Sequence, residues 1–322
     1  MYPPYQAPFF LRGGHMQTIW PNLFRRVDVV TCKRQGERLF LPDGDFLDTD
    51  CYRSGASRVA IVGHGLEGNS SRTYVLGMVR CLLRHGWDVL AWNCRGCSGE
   101  VNRALRMYHS GATEDLHQVV AYGAALGYDT IALVGSSMGG NLILKYLGEG
   151  RFPIPPALKG AVAYSVPCDL AGSSNKLSER ENGLYSNRFL RKLKQKLRIK
   201  ALSFPDQIDL DRLSSIKTLA EFDDSYTAPL HGFSNGREYY RQCSCKQYIS
   251  YIKVPTLIFN SLNDPFLSES CHPVDEAAVN PMVTLELQRE GGHVGFVGSG
   301  DAQGAYWSEL RAAHFLKHAC SC

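Results

Sequence analysis

The sequence predicts an α/β fold: a mostly parallel, eight-stranded sheet flanked by helices, with a helical cap inserted late in the chain. Three observations carry this. Short apolar runs alternate with longer segments whose apolar residues recur at helical spacing. The alternation stops at about Asp169 and resumes after Cys245. A Gly-Ser-Ser-Met-Gly turn also joins one apolar run directly to a helix.

Arg38 to Leu41 and Phe46 to Tyr52, joined by Pro42-Asp43-Gly44-Asp45, read as a hairpin, so the first two strands are antiparallel. Arg58 to Gly63 is apolar at successive positions, as a parallel strand covered on both faces requires. Thr73 to His85 follows as a helix with Val75, Leu76, Met78, Val79, Leu82 and Leu83 on its apolar side. Asp88 to Trp92 is a strand, Glu114 to Leu126 a helix, Thr130 to Val134 a strand, Asn141 to Leu147 a helix and Lys159 to Tyr164 a sixth strand. From about Asp169 to Cys245 no strand–helix unit repeats, and the segment reads as the helical cap. Within it, Arg188 to Lys200 interleaves cations with Phe189, Leu190, Leu193 and Leu197. The favoured reading is an amphipathic helix laid on the body; the competing one is weak contact with an anionic membrane surface. Thr256 to Asn260 and Val283 to Gln288 complete the sheet, and Ala305 to His318 is the closing helix. The expected organisation is one domain over 1–322, with the core at about 30–168 and 246–322, the cap at 169–245 and an N-terminal arm at 1–29.

Composition narrows the function. Hydrophobic residues at 44% and charged residues at 20% exclude a disordered chain. A net charge of 35 − 31 = +4 gives no basis for a nucleic-acid partner. No apolar run reaches the roughly 18 residues of a transmembrane helix. The start, Met1-Tyr2-Pro3-Pro4-Tyr5, lacks the pattern of a signal peptide, so a cytoplasmic address is expected. Eleven cysteines are an odd count in a long chain. Cys94-Arg95-Gly96-Cys97 has no second pair at zinc spacing, and Cys243-Ser244-Cys245 and Cys320-Ser321-Cys322 add none. Reduced thiols, no metal and no cofactor are expected.

Chemistry enters at Gly135-Ser136-Ser137-Met138-Gly139, a G-x-S-x-G between a strand and a helix. The glycines allow a turn too tight for side chains, which lifts the Ser137 hydroxyl out at the sheet's C-terminal edge. The pentapeptide frame favours Ser137 over Ser136. A serine needs a base, and the base an orienting acid; in the α/β-hydrolase layout they follow in the order Ser, Asp or Glu, His. Asp264 lies just past the seventh strand and His293, in Gly291-Gly292-His293-Val294-Gly295, just past the eighth. Asp169, after the sixth strand, is a second acid candidate. His272 is too close to Asp264 in sequence, His314 and His318 fall on the closing helix, and His231 belongs to the cap, where it could line the pocket. His64-Gly65-Leu66-Glu67-Gly68 follows the third strand, where the second oxyanion donor arises, so the expected donors are the backbone N–H groups of Leu66 and Met138. His64 reads as a residue that shapes this loop.

Taken together, these residues resemble the YheT-type branch of the α/β-hydrolase superfamily, also called the AB-hydrolase-4 family. The resemblance runs through Gly14-His15-Met16-Gln17-Thr18-Ile19, His64 to Gly68, Asn93 to Cys97, Gly135 to Asn141, Phe222-Asp223-Asp224, Thr227-Ala228-Pro229, Asn263-Asp264-Pro265-Phe266 and Gly291 to Phe296. It implies a carboxylic-ester hydrolase acting on a small-molecule or lipid ester, with Ser137, Asp264 and His293 as its triad. Acyl transfer on the same triad and a non-catalytic ligand-binding homologue are the rival readings. The Gly14-His15 segment has no derivable role beyond packing at the sheet's edge.

Overall fold

A computed structural model of the chain describes residues 2–29, 32–298, 300, 301 and 303–320. Met1, Ser321 and Cys322, used in the sequence reading, lie outside the described residues. Eight strands, β1 Arg34–Phe40, β2 Phe46–Tyr52, β3 Arg58–Gly63, β4 Asp88–Trp92, β5 Thr130–Ser136, β6 Leu158–Tyr164, β7 Thr256–Ser261 and β8 Val283–Gln288, form one sheet. Their spatial order is β1-β2-β4-β3-β5-β6-β7-β8. β2 runs antiparallel to both β1 and β4, and every other pairing is parallel. The helices are α1 Gly14–Phe24, α2 Thr73–Arg84, α3 Thr113–Ala125, α4 Met138–Gly148, α5 Leu170–Ser178, α6 Gly183–Ser203, α7 Leu219–Phe222, α8 Ala228–Leu230, α9 Gly236–Cys243, α10 Val274–Ala278 and α11 Trp307–Ala319.

The central strands are apolar throughout because each feeds two cores. Val59 and Ile61 of β3, with Ile131 and Leu133 of β5, point to the core shared with α3 and α4. Their neighbours Ala60, Val62, Ala132 and Val134 point to the core shared with α2 and α11. The two-residue period of a strand makes that division automatic. β3 and β5 are adjacent in register, Gly63 opposite Gly135, although β4 intervenes in sequence. The chain therefore reverses its direction of growth at this pair, and the crevice at such a switch point is where doubly wound sheets place ligands.

Between β6 and β7 the chain forms the cap, α5 to α9. The apolar stripe of α6, Leu190, Leu193, Leu197 and Ala201, is buried against Leu213, Ile216, Leu219 and Phe222. A π turn over Asp223–Thr227 links α7 and α8. The Asn93 to Cys97 segment ties the body together through Arg95. Its guanidinium grips both carboxylate oxygens of Asp115 at 2.8 and 2.9 Å and Asp45 at 2.8 Å, all three side chains being buried.

β1 and α1 are among the elements that differ from the sequence reading. β1 begins at Arg34 rather than Arg38, because charge pairs occupy both of its faces: Glu37 with Arg53 on one and Arg38 with Asp48 on the other. Such a strand shows no apolar alternation. Hydrophobic periodicity does not predict α1, because its buried residues are Gln17, Thr18 and Pro21, which form no apolar stripe. Nor does the arm that carries α1 merely pack at the sheet's edge: Gly14 meets the Asn263 carbonyl on the loop after β7.

Candidate active site

Ser137 sits between β5 and α4 with φ 54° and ψ −125°, a conformation L-residues rarely adopt. Its N–H is tied to the Tyr164 carbonyl at 2.9 Å and its carbonyl accepts from Asn141 N–H at 3.0 Å. The turn admits nothing larger than glycine. A Cβ on Gly135 would stand 2.5 Å from the Gly139 carbonyl oxygen, and one on Gly139 would stand 2.7 Å from that of His64. The Ser137 Oγ lies 2.9 Å from His293 Nε2, and His293 Nδ1 lies 2.8 Å from Asp264 Oδ2. The second Asp264 oxygen accepts the Phe266 N–H at 2.8 Å, and the Asp264 side chain is fully buried. The Phe266 ring stacks on the imidazole, centroids 4.1 Å apart.

His293 is held in place from outside the sheet. Its N–H donates to Thr18 Oγ1 at 2.9 Å, and that hydroxyl donates to the Gly14 carbonyl at 2.6 Å. The Gly292 N–H donates to Asn263 Oδ1 at 3.0 Å, which links the loop after β8 to the loop after β7. Val294, with φ 57°, donates its N–H to Ser165 Oγ at 2.9 Å.

The loop after β3 approaches the serine from the other side. A Cβ on Gly65 would stand 3.0 Å from that of Ser137. The Gly65 N–H donates to the Tyr74 hydroxyl at 3.0 Å and the Glu67 N–H to the Tyr108 hydroxyl at 3.1 Å. Leu66 lies between these two occupied donors, and its residue lines the same cavity as Ser137, Met138 and His293. The Met138 N–H is the first donor of α4, with no acceptor one turn back in the helix. His64 shapes the loop. Its Nε2 accepts the Cys94 N–H at 3.1 Å, so the proton is on Nδ1, 2.8 Å from the Gly65 carbonyl. Burial pushes its pKa down to about 4, which keeps the ring neutral and this tautomer fixed.

The other candidates stand elsewhere. Asp169 caps α5 by accepting the Ala171 N–H. His231 bonds the Met107 backbone and lines a small adjoining cavity rather than the one at Ser137. His272 follows a short 3-10 turn past Asp264, and Ser136 is buried at the end of β5. His314 and His318 are neighbours on α11. Sequence reasoning missed Thr18, Tyr74 and Tyr108, whose roles depend on contacts across the fold; Phe266, adjacent to the acid, was within reach of it.

The cavity over Ser137 has a volume of about 100 Å³ and lies beneath the cap. Leu170, Leu177, Leu193 and Leu219 give it apolar walls, and Asp223 is its acidic residue. The Asp223 carboxylate accepts from Thr227 Oγ1 at 2.6 Å and Tyr240 OH at 2.7 Å, and burial pushes its pKa up to about 6.

Residues 61–299 match the family model described as alpha/beta hydrolase fold. The chain is 36% identical over 309 residues to YheT of Escherichia coli K12, covering 94% of this chain and 89% of that one. It is 32% identical over 259 residues to human phospholipase ABHD3, covering 79% of this chain and 63% of the human protein. Among solved structures, the Pyrococcus furiosus esterase Pf2001 superposes with a TM-score of 0.62 at 16% identity, over 98% of this chain and 100% of that one.

Proposed function

This chain belongs to the alpha/beta hydrolase fold family, and on that premise we propose that it is a serine esterase working through an acyl-enzyme. The observation that carries the reading is the continuous line from Ser137 Oγ through His293 to Asp264, with separations of 2.9 and 2.8 Å, at the crevice between β3 and β5. The resemblance to YheT, described as an esterase, and to a named phospholipase supports ester chemistry.

In this reading His293 Nε2 takes the Ser137 proton as Oγ attacks the ester carbonyl carbon. The carbonyl oxygen becomes an oxyanion, held by the N–H groups of Leu66 and Met138. That charge develops only in the transition state, so preformed donors lower the barrier without tightening ground-state binding. The C–O bond then breaks and His293 gives its proton to the departing alkoxide. Water enters, loses a proton to the same nitrogen and cleaves the acyl-enzyme, which releases the acid and restores Ser137. Asp264 holds the Nδ1–H tautomer and stabilises the imidazolium. The reading treats the chain as one domain with its cap at 169–245, needs neither metal nor cofactor, and takes a small-molecule or lipid ester as substrate. Ten free thiols among the described residues, eight of them buried, support a reducing compartment such as the cytoplasm.

The test is hydrolysis of p-nitrophenyl esters from acetyl to palmitoyl by the parent and by Ser137→Ala, with fluorophosphonate labelling alongside. The variant is expected to lose at least about 10³-fold in kcat and all labelling. Parent-like turnover by Ser137→Ala overturns the assignment.

A further inference from the structure

Ser137 and His293 also face a second, larger space that this chemistry leaves unused. It is a groove of about 540 Å³ between α1 and α6, against about 100 Å³ for the cavity under the cap. Ile19, Pro21, Leu184 and Phe189 give it apolar walls, but its charges are one-sided. Arg72, Arg188, Arg191 and Lys192 line it, against a single carboxylate residue, Glu67, among the described residues. That carboxylate is already engaged, by the Tyr108 hydroxyl at 2.6 Å and Lys196 Nζ at 2.8 Å.

Lys192 and Arg72 instead donate to the Glu67 backbone carbonyl, at 3.1 and 3.3 Å. A carbonyl oxygen carries no net charge to offset them. Burial, and then the neighbouring Arg72 charge, hold the Lys192 pKa below its ordinary value. Four cations against the one carboxylate of Glu67, which Lys196 already shares, leave the groove net positive, and an anion entering it would relieve that excess. The cavity under the cap has the opposite polarity, with Asp223 in its wall. A negatively charged group is repelled there and attracted in the groove.

We infer that the ester's larger half carries an anionic group, a carboxylate or a phosphate, which seats in the groove against Lys192 and Arg72 while the smaller, uncharged half enters the cavity under the cap. This deepens the esterase reading and rests on it. The Arg72 guanidinium suits such a group because its parallel N–H donors match two carboxylate or phosphate oxygens. Arg188 and Arg191, exposed on α6, add attraction during approach.

Two measurements keep this inference separate from the esterase reading. The first compares kcat/KM for monobutyrin and for butyryl-glycerol 3-phosphate, and for ethyl octanoate and monoethyl suberate, whose larger acyl half carries the carboxylate. The anionic member of at least one pair is expected to lead by about tenfold, and the lead to shrink as salt rises to about 0.5 M. Lys192→Met is expected to cut the anionic-to-neutral ratio about tenfold and Lys192→Arg to restore most of it, with Arg72→Gln as a second probe. Phosphatidic acid in phosphatidylcholine vesicles replaces the soluble phosphate in a parallel arm, and the faster substrate identifies a lipid or a soluble source. The second measurement titrates Ser137→Ala with butyl phosphate and with butanol. Phosphate binding that disappears in the Ser137→Ala, Lys192→Met double variant sustains the anion site even if no ester is hydrolysed. Hydrolysis with no anionic preference and no butyl phosphate binding overturns the inference and leaves the esterase reading standing.

Discussion

Asp264→Asn puts the proposed chemistry under the sharpest test, because the substitution keeps shape and removes one charge. Asp264 uses both oxygens: one faces His293 Nδ1 and the other accepts the Phe266 N–H, each at 2.8 Å. Asparagine has only one oxygen. If that oxygen keeps the Phe266 N–H, the amide NH2 faces Nδ1 and forces it to accept. The imidazole proton then sits on Nε2, against Ser137, and the base is blocked. If the amide flips, the tautomer is restored, but the NH2 meets the Phe266 N–H and a buried donor pair goes unsatisfied. That costs about 1–3 kcal/mol. Even flipped, the amide lacks the charge that stabilises the imidazolium, worth about 4 kcal/mol at a charge separation of about 4 Å and an effective dielectric of about 20. The two effects sum to about 5–7 kcal/mol, a loss in kcat/KM on the order of 10⁴-fold. The assay is p-nitrophenyl butyrate hydrolysis, with a thermal melt to confirm the fold. Asp169→Asn, which keeps a capping side chain on α5, is the control. A correctly folded Asp264→Asn within about tenfold of the parent, or a loss that follows Asp169 instead, refutes the reasoning.

Four further outcomes are expected. Gly14→Ala would bring a Cβ within 1.8 Å of the Asn263 carbonyl oxygen, so α1 and the loop after β7 must separate; kcat/KM should fall about 10- to 100-fold. Gly183→Ala, at the open start of α6, should change little in the same assay. Arg95→Met leaves Asp45 and Asp115 buried without their cation and should lower the unfolding free energy by about 3–5 kcal/mol in urea titrations. Asp223 has a folded pKa of about 6, raised by burial from 3.8. Its contribution to stability is therefore fully present below about pH 4 and lost as pH rises through about 6, on the order of 3 kcal/mol. Urea unfolding from pH 4 to 7 should show that decline in the parent and lack that component in Asp223→Asn.

The alternation of strands and helices and the turn around Ser137 were legible in the sequence because both are local. A strand buried on both faces must be apolar at each successive residue, and a turn with backbone at 2.5 Å from a would-be Cβ must be glycine. Asp264 and His293 were legible for a related reason: each follows directly on a strand of a parallel sheet, whose ends converge on one edge. What only the tertiary structure decided is everything that depends on which distant surfaces meet. Thr18 behind His293, Tyr74 and Tyr108 beside Leu66, and Phe266 stacked on the imidazole are ordinary residues until packing gives them a neighbour. α1 left no periodic trace, since its buried face is Gln17, Thr18 and Pro21, held by Tyr5 and His293 from other segments rather than by an apolar stripe. The opposite polarities of the two spaces at Ser137 are likewise properties of arrangement. The basic run on α6 was visible as composition, but the fold determined that Lys196 would neutralise Glu67 while Lys192 and Arg72 would share only its carbonyl oxygen.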